Sequence, residues 1–152
     1  ERIYQQEFMA EFIDDAGGVF RRVMDAATAE ARQPNNGEQF IFGVDWGKQN
    51  DFTCIAVLDS NGAMVAFDRF NQIDYAVQLG RLQAMAKRYP PASIIAERNS
   101  MGEPLVEQLQ RMGLPVQPFQ TTNATKAAAV DALSLAFERN DVRILPEQIL
   151  IA

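Results

Sequence analysis

The sequence has 152 residues, 47% of them hydrophobic in type, with a formal net charge of −6, one cysteine and no histidine. That length supports one ordinary globular core rather than two. The missing histidine excludes Ser-His-Asp and Cys-His chemistry and any His-ligated zinc centre, and the lone Cys54 excludes an internal disulfide framework or a cysteine zinc site.

The acidic balance argues against a surface that clamps a polyanion all round. Nucleic-acid contact would instead need a local basic strip or a divalent metal. No apolar run approaches the eighteen or so residues that span a bilayer, and the first residues lack a charged-then-apolar leader pattern, so a soluble, intracellular chain without membrane contact is expected. Chemistry is left to carboxylates, lysine or hydroxyls.

Residues 1–36 differ in character from the rest of the chain. A helix-like ERIYQQEFMAEF leads to a Gly17-Gly18 break, then VFRRVMDAATAEA and a polar QPNNGEQ. This stretch is expected to be a connector arm, with Tyr4, Phe8 and Phe12 at helical spacing forming a small docking face. Residues 37–152 are expected to be the functional domain.

Strand patterns begin at Phe40, with FIFGVDW, FTCIAVLD and MVAFDRF in succession and Asn61-Gly62 as a hairpin signal between the last two. Three adjacent antiparallel strands follow from that. The second run is apolar on both alternating faces and is expected to be covered on both sides. Tyr75, Leu79, Leu82, Ala86 and Tyr89 then mark a helix capped by Asp74 and stopped by Pro90-Pro91.

SIIAE is a fourth strand. A helix from about Gly102 follows, with Pro104 in its first turn, Leu105, Leu109 and Met112 on one face and Gly113 as its stop. LPVQPFQ is a fifth strand, and a third helix runs from about Asn123 to Asn140 with Ala127, Val130, Leu133 and Phe137 facing a core. Pro146 suits the start of a further helix. This alternation predicts an α/β, RNase H-like fold: a central five-stranded mixed sheet, three antiparallel strands then two parallel, flanked by helices.

Two acids stand out on that sheet. In the first strand Phe40, Phe42, Val44 and Trp46 point one way and Ile41, Gly43 and Asp45 the other. An unpaired acid inside an apolar strand costs several kcal/mol to bury, so Asp45 calls for a cation, a donor network or a water-filled cleft, a structural salt bridge being the alternative. Glu97 ends the fourth strand in the same way. If strands one and four are parallel neighbours, their ends lie about 5 Å apart and both carboxylates can share one cation.

An all-oxygen ligand set suits Mg²⁺ or Mn²⁺. Such a site supports phosphodiester hydrolysis with metals roughly 4 Å apart, and no histidine is needed. Asp51, in the GKQND turn, either approaches the same cleft or serves the turn's own hydrogen bonds. Lys48, Arg98 and Lys126 are candidate phosphate contacts, against the alternative of simple solvation.

Taken together, FIFGVDWGKQNDFTCIAVLD, IIAERNSMGEPLVEQL and the TTNATK helix start resemble the C-terminal nuclease domain of terminase large subunits of tailed bacteriophages and prophages. The resemblance implies a Mg²⁺- or Mn²⁺-dependent endonuclease that cuts concatemeric viral DNA, with Asp45 and Glu97 as the metal-binding, catalytic acids. It matches Asn99 and Gly102 to the turn and helix start after the second acid, and Lys126 to a lysine opening the next helix. Lys48, Arg98, Asn99 and Lys126 are thereby candidate nucleic-acid contacts.

The opening EFMAEFIDDAGGVFRR resembles the passage from a packaging ATPase into the nuclease. The implied partners are double-stranded DNA, an N-terminal packaging ATPase domain, the portal and the small terminase subunit, in the host cytoplasm. The sequence carries no GxxxxGK[ST] loop. The family's third acid, an aspartate on a later helix, has no counterpart here, Asp131 being read as surface, so the resemblance implies a shortened domain of weak activity. Alternatives are a nucleotide-binding domain of the sugar kinase and actin-like ATPase type, whose first strand is similar, and a non-catalytic docking module.

Overall fold

A computed structural model describes residues 20–47, 51–71, 74–98 and 102–151. The expected helical face of Tyr4, Phe8 and Phe12 lies outside them. The described chain divides into two compact units, one formed by residues 20–31, Asn61–Met64 and 122–151, the other by the described residues of Arg32–Ser60 and Val65–Thr121.

The second unit is built on a sheet of order β3-β2-β1-β4-β5, with β1 at Phe40–Asp45, β2 at Thr53–Leu58, β3 at Met64–Phe70, β4 at Pro91–Glu97 and β5 at Val116–Phe119. β1 runs antiparallel to β2 and parallel to β4, which is parallel to β5. The expected five-stranded mixed sheet, with strands one and four side by side, is therefore present. Gly62 takes φ +81° between β2 and β3, a conformation that suits glycine and explains the Asn-Gly signal.

One face of the sheet carries the core. Phe40, Phe42 and Val44 of β1, Ile55 and Val57 of β2, and Ile94 and Ala96 of β4 are buried together with Leu82 and Ala86 from one helix and Leu105, Val106 and Leu109 from the next. The first helix, Tyr75–Arg88, begins where the Asp74 side chain accepts from the Ala76 N–H at 2.9 Å. The second, Glu103–Arg111, has Pro in its first turn and stops before Gly113 at φ +79°. In chain order these helices are α2 and α3, after a single turn α1 at Val23–Ala26.

The residues on the other face are less buried. Cys54, Ala56 and Leu58 are only half-buried, and Ile41 and Ile95 on the neighbouring strands are exposed. Helix α2 departs from its apolar pattern: Tyr75 is exposed and Gln78, one turn on, is fully buried in line with Leu82 and Ala86.

The polar segment after Ala31 is tied to the sheet by charge. The Arg32 guanidinium binds Glu38 at 2.7 Å and Asp59 at 3.1 Å, and the Tyr89 hydroxyl donates to the Arg32 carbonyl at 3.0 Å. The Arg32 guanidinium holds the Glu38 carboxyl down at about 2.

In the first unit, helix α4 spans Asn123–Glu138 and opens on a reciprocal Thr122–Thr125 capping box. Of the four residues expected on its core face, only Phe137 is buried, with the Phe20 ring 5.6 Å away. Ala127 and Leu133 are exposed, so alanine-rich helical periodicity overstated the buried stripe. A turn of helix, α5, follows Pro146 at Gln148–Ile151. None of the helices among the described residues is long and apolar enough to cross a membrane.

Candidate metal centre

The two acids meet on the face of the sheet opposite the core. Ile41, Gly43 and Asp45 alternate onto that face from β1, and their register partners on β4 are Ser93 and Ile95, with Glu97 next in line. Asp45 and Glu97 thus end adjacent parallel strands, and their carboxyls lie close enough to act on each other. Two carboxylates so placed cannot both stay ionised without cost. Although Asp45 remains open to solvent, the crowding strand ends desolvate its carboxyl and, with the Glu97 hydrogen bond, the Glu97 charge and the charge of Asp51, push it up to about 6.

Glu97 is held from its other side by β5. Its register partner is Phe119, and two residues beyond, the Thr121 hydroxyl donates to Glu97 Oε1 at 2.7 Å. The backbone is pinned at the same level, where the Arg98 N–H donates to the Phe119 carbonyl at 2.8 Å.

The end of β1 is tied to β2 and the first long helix by a buried relay. The Gly47 N–H donates to Thr53 Oγ1 at 2.9 Å, and that hydroxyl donates to Gln78 Oε1 at 2.9 Å. Gly47 is required by contact: a Cβ there would stand 2.5 Å from the Phe52 carbonyl carbon and 2.6 Å from the Asp51 carbonyl oxygen. Asp51 itself stands with its charge within reach of Asp45. Gly43 has no such role, since a Cβ there meets nothing within 4 Å.

The relay should be visible in stability. Thr53→Val strands a buried N–H and a buried amide oxygen, and about 2–3 kcal/mol of loss is expected. Thr53→Ser keeps the hydroxyl and should retain most of it. Equal melting temperatures for the two variants would show that the relay contributes nothing.

The remaining candidates are dispersed. The exposed Arg98 guanidinium pairs with Glu103 at 3.0 Å, which raises its affinity for its proton. Such an exposed pair is weak and exchangeable. Lys48 and Asn99 lie outside the described residues. Lys126 is exposed in the first turn of α4, which belongs to the first unit, as does the exposed Asp131. Cys54, expected to be buried, is half-buried opposite Asp45, and its thiol is pushed up first by desolvation and then by the Asp45 charge.

Sequence reasoning missed Thr121, Thr53 and Gln78 as parts of this site and left Asp51 undecided. Among the described residues, no group of three or more His, Cys, Asp or Glu side chains is placed to hold a metal ion. What the structure assembles is a pair of carboxylates with a third acid acting on it through its charge.

Comparison with known proteins identifies the family and the fold. The Terminase RNaseH-like domain family matches residues 42–149. The terminase large subunit of Thermus virus P23-45 is 26% identical over 154 residues, covering 93% of this chain and 31% of that protein, so the chain spans about a third of its relative's length.

The large terminase nuclease of thermophilic phage G20c, in a structure with bound magnesium, superposes with a TM-score of 0.77 at 22% identity, covering 86% of this chain and 75% of that one. The nuclease domain of the Thermus phage P74-26 large terminase gives 0.74 at 22% identity, covering 86% and 73%. The fold is thus the RNase H-like fold of the phage terminase nucleases. With more than two thirds of its length matched, this chain belongs to the terminase RNaseH-like domain family.

Proposed function

We propose that this chain is the divalent-metal-dependent endonuclease module of a DNA-packaging terminase, cutting concatemeric viral DNA by phosphodiester hydrolysis. The observation that carries the reading is the Asp45–Glu97 pair, two carboxyls brought together at the ends of adjacent parallel strands. A pair that otherwise needs a proton to relieve its repulsion is a natural seat for a cation. Its oxygen donors fit a hard ion such as Mg²⁺ or Mn²⁺ with water completing the shell. When bound, divalent metal would supply Lewis-acid activation of the attacking water and neutralise charge on the phosphate.

The chain's own residues do the rest. Asp45 and Glu97 hold the ion, the Thr121 hydroxyl fixes the Glu97 carboxylate through Oε1, and the Gly47–Thr53–Gln78 relay keeps the β1 end and Asp51 in place. The related G20c nuclease has been seen with magnesium, zinc and cobalt, in keeping with a site that accepts several divalent ions. In the same reading, residues 1–36 form the connector from a packaging ATPase domain, and the assembled protein works on double-stranded DNA with the portal and small subunit in the host cytoplasm. Lys48, Arg98, Asn99 and Lys126 are proposed as contacts to that DNA.

Metal dependence tests the proposal. Slow nicking of supercoiled plasmid is expected in Mn²⁺ and none in EDTA, because only two carboxylates directly form the pair. Mn²⁺ binding followed by electron paramagnetic resonance should weaken at least about tenfold in Glu97→Gln. Nicking that survives EDTA, or Mn²⁺ binding untouched by Glu97→Gln, would overturn the reading. In the second case a docking module becomes the better description.

A further inference from the structure

An acidic chain with a carboxylate pair at its reaction centre repels the backbone it would cut, so a cation must stand close by. Four of the arginines in the described residues are already matched to carboxylates: Arg22 with Asp25, Arg32 with Glu38 and Asp59, Arg81 with Asp68, and Arg98 with Glu103. Arg69 shares with Arg88, Arg111, Arg139 and Arg143 the lack of an ion pair among the described residues, and it is set apart by its seat: its guanidinium carbon lies 3.4 Å from the centre of the Phe52 ring. We propose that Arg69, seated on Phe52, is the anchor for a DNA phosphate beside the Asp45–Glu97 pair, an inference that rests on the nuclease reading.

Placement comes first. Cys54 of β2 is the register partner of Asp45, Phe52 lies two residues before it, and Arg69 is the next-to-last residue of β3, the strand beside β2. The Cys54 thiol feels the charge of Asp45, then that of Arg69 and, after it, that of Asp68. Two strand spacings separate β1 from β3, about 10 Å. That is the axial rise of roughly three nucleotides of one DNA strand, so a backbone whose reacting phosphate sits at the carboxylate pair passes Arg69 within a few nucleotides.

The chemistry of the pair explains its other oddity. Phe52 is 38% exposed, a large apolar ring with no core to fill. Under a guanidinium it has a use: stacking on the ring face fixes the planar fork while leaving its N–H edges free, and that fork fits two phosphate oxygens. The adjacent carboxylate does not compete, because Asp68 alternates to the other side of β3 and is bound by Arg81 at 2.6 Å. The site takes a phosphodiester backbone, reads no base, and so agrees with cutting that has little sequence preference.

The test uses the intact chain with a fluorescent duplex in Ca²⁺ in place of Mn²⁺, so that binding is read without cutting, across a series of salt concentrations. Arg69→Gln should weaken duplex binding about tenfold and lower the slope of log affinity against log salt by about one, the signature of one lost phosphate contact. Mn²⁺ affinity should be unchanged. Phe52→Leu, which leaves the charge but removes its seat, should give a smaller loss with the slope kept.

Arg111→Gln serves as the control, since Arg111 ends α3 at the opposite end of the sheet and should leave the slope as it is. Wild-type affinity and slope in Arg69→Gln, with Mn²⁺ binding and nicking intact, would overturn the anchor alone. An equal effect of Arg111→Gln would overturn it as well, reducing it to general charge. Absence of both duplex and Mn²⁺ binding in the wild type would overturn the nuclease reading with it.

Discussion

Replacing Asp45 with asparagine is expected to abolish metal-dependent nicking while raising the melting temperature above pH 6. The loss follows from the site: a metal held at one end of a broken pair no longer stabilises the transition state, a deficit of several kcal/mol or at least about a thousandfold in rate. The gain in stability follows from the sign of the Asp45 shift. Its carboxyl is raised from 3.8 to about 6, chiefly by desolvation and then by Glu97, so the folded chain holds a proton there that the unfolded chain has already released.

Between about pH 4 and pH 6 stability therefore falls as pH rises, and above pH 6 the penalty is complete. Asparagine has no charge to repel Glu97, so the variant should lose that slope and melt higher at pH 8 in EDTA. Mn²⁺ should narrow the difference by stabilising the wild type selectively. Calorimetry from pH 4 to pH 8 with and without Mn²⁺, beside a plasmid assay, measures both arms. A variant that nicks at the wild-type rate, or melts lower than wild type at pH 8, would remove Asp45 from the site.

Much of this site is legible in the amino-acid sequence because its main signals are local. Alternation along Phe40, Phe42, Val44 and Trp46 against Ile41, Gly43 and Asp45 determines which face the acid takes, and Asp74 and Thr122 cap their helices through their own first turns. The pairing of β1 with β4 is also recoverable, since a helix joining parallel strands constrains where the second strand lies. What is lost is whatever depends on contacts between distant residues.

Gln78 breaks an apolar stripe and reads as a surface residue until Thr53, twenty-five positions earlier, supplies its buried partner. Thr121 looks like part of a helix cap, yet its neighbour Thr122 makes the cap while Thr121 reaches Glu97, twenty-four positions back. Asp51 has two readings, of which local sequence favours the turn's own hydrogen bonds. In the structure it lies close enough for its charge to act on Asp45. Glycine was the most misleading signal: Gly43, beside the acid, has open space where its side chain would be, whereas Gly47 and Gly102 are the two that crowd the strand ends.

Gly102→Ala is expected to cost about 3 kcal/mol, roughly 10 °C in melting temperature, and to weaken Mn²⁺ binding about tenfold. Backbone conformation is not the cause, because Gly102 sits at φ −79° and ψ −22°, which any residue adopts. Contact is. A Cβ at that position falls on the Glu97 carbonyl oxygen and 2.6 Å from Cδ1 of Trp46, whose ring is buried. Neither neighbour gives way cheaply: Glu97 is paired to β5 and Trp46 is packed into the core.

The strain must then move the start of α3, dragging Leu105, Val106 and Leu109 out of register with the sheet, or tilt the Glu97 peptide and with it the carboxylate. Gly43→Ala provides the contrast, since it adds a methyl into open space one alternation from Asp45 and should leave stability and Mn²⁺ affinity near wild type. Wild-type behaviour of Gly102→Ala in both calorimetry and Mn²⁺ titration would mean that the helix start adapts freely. The position of Glu97 would then depend on Thr121 and the β5 pairing alone.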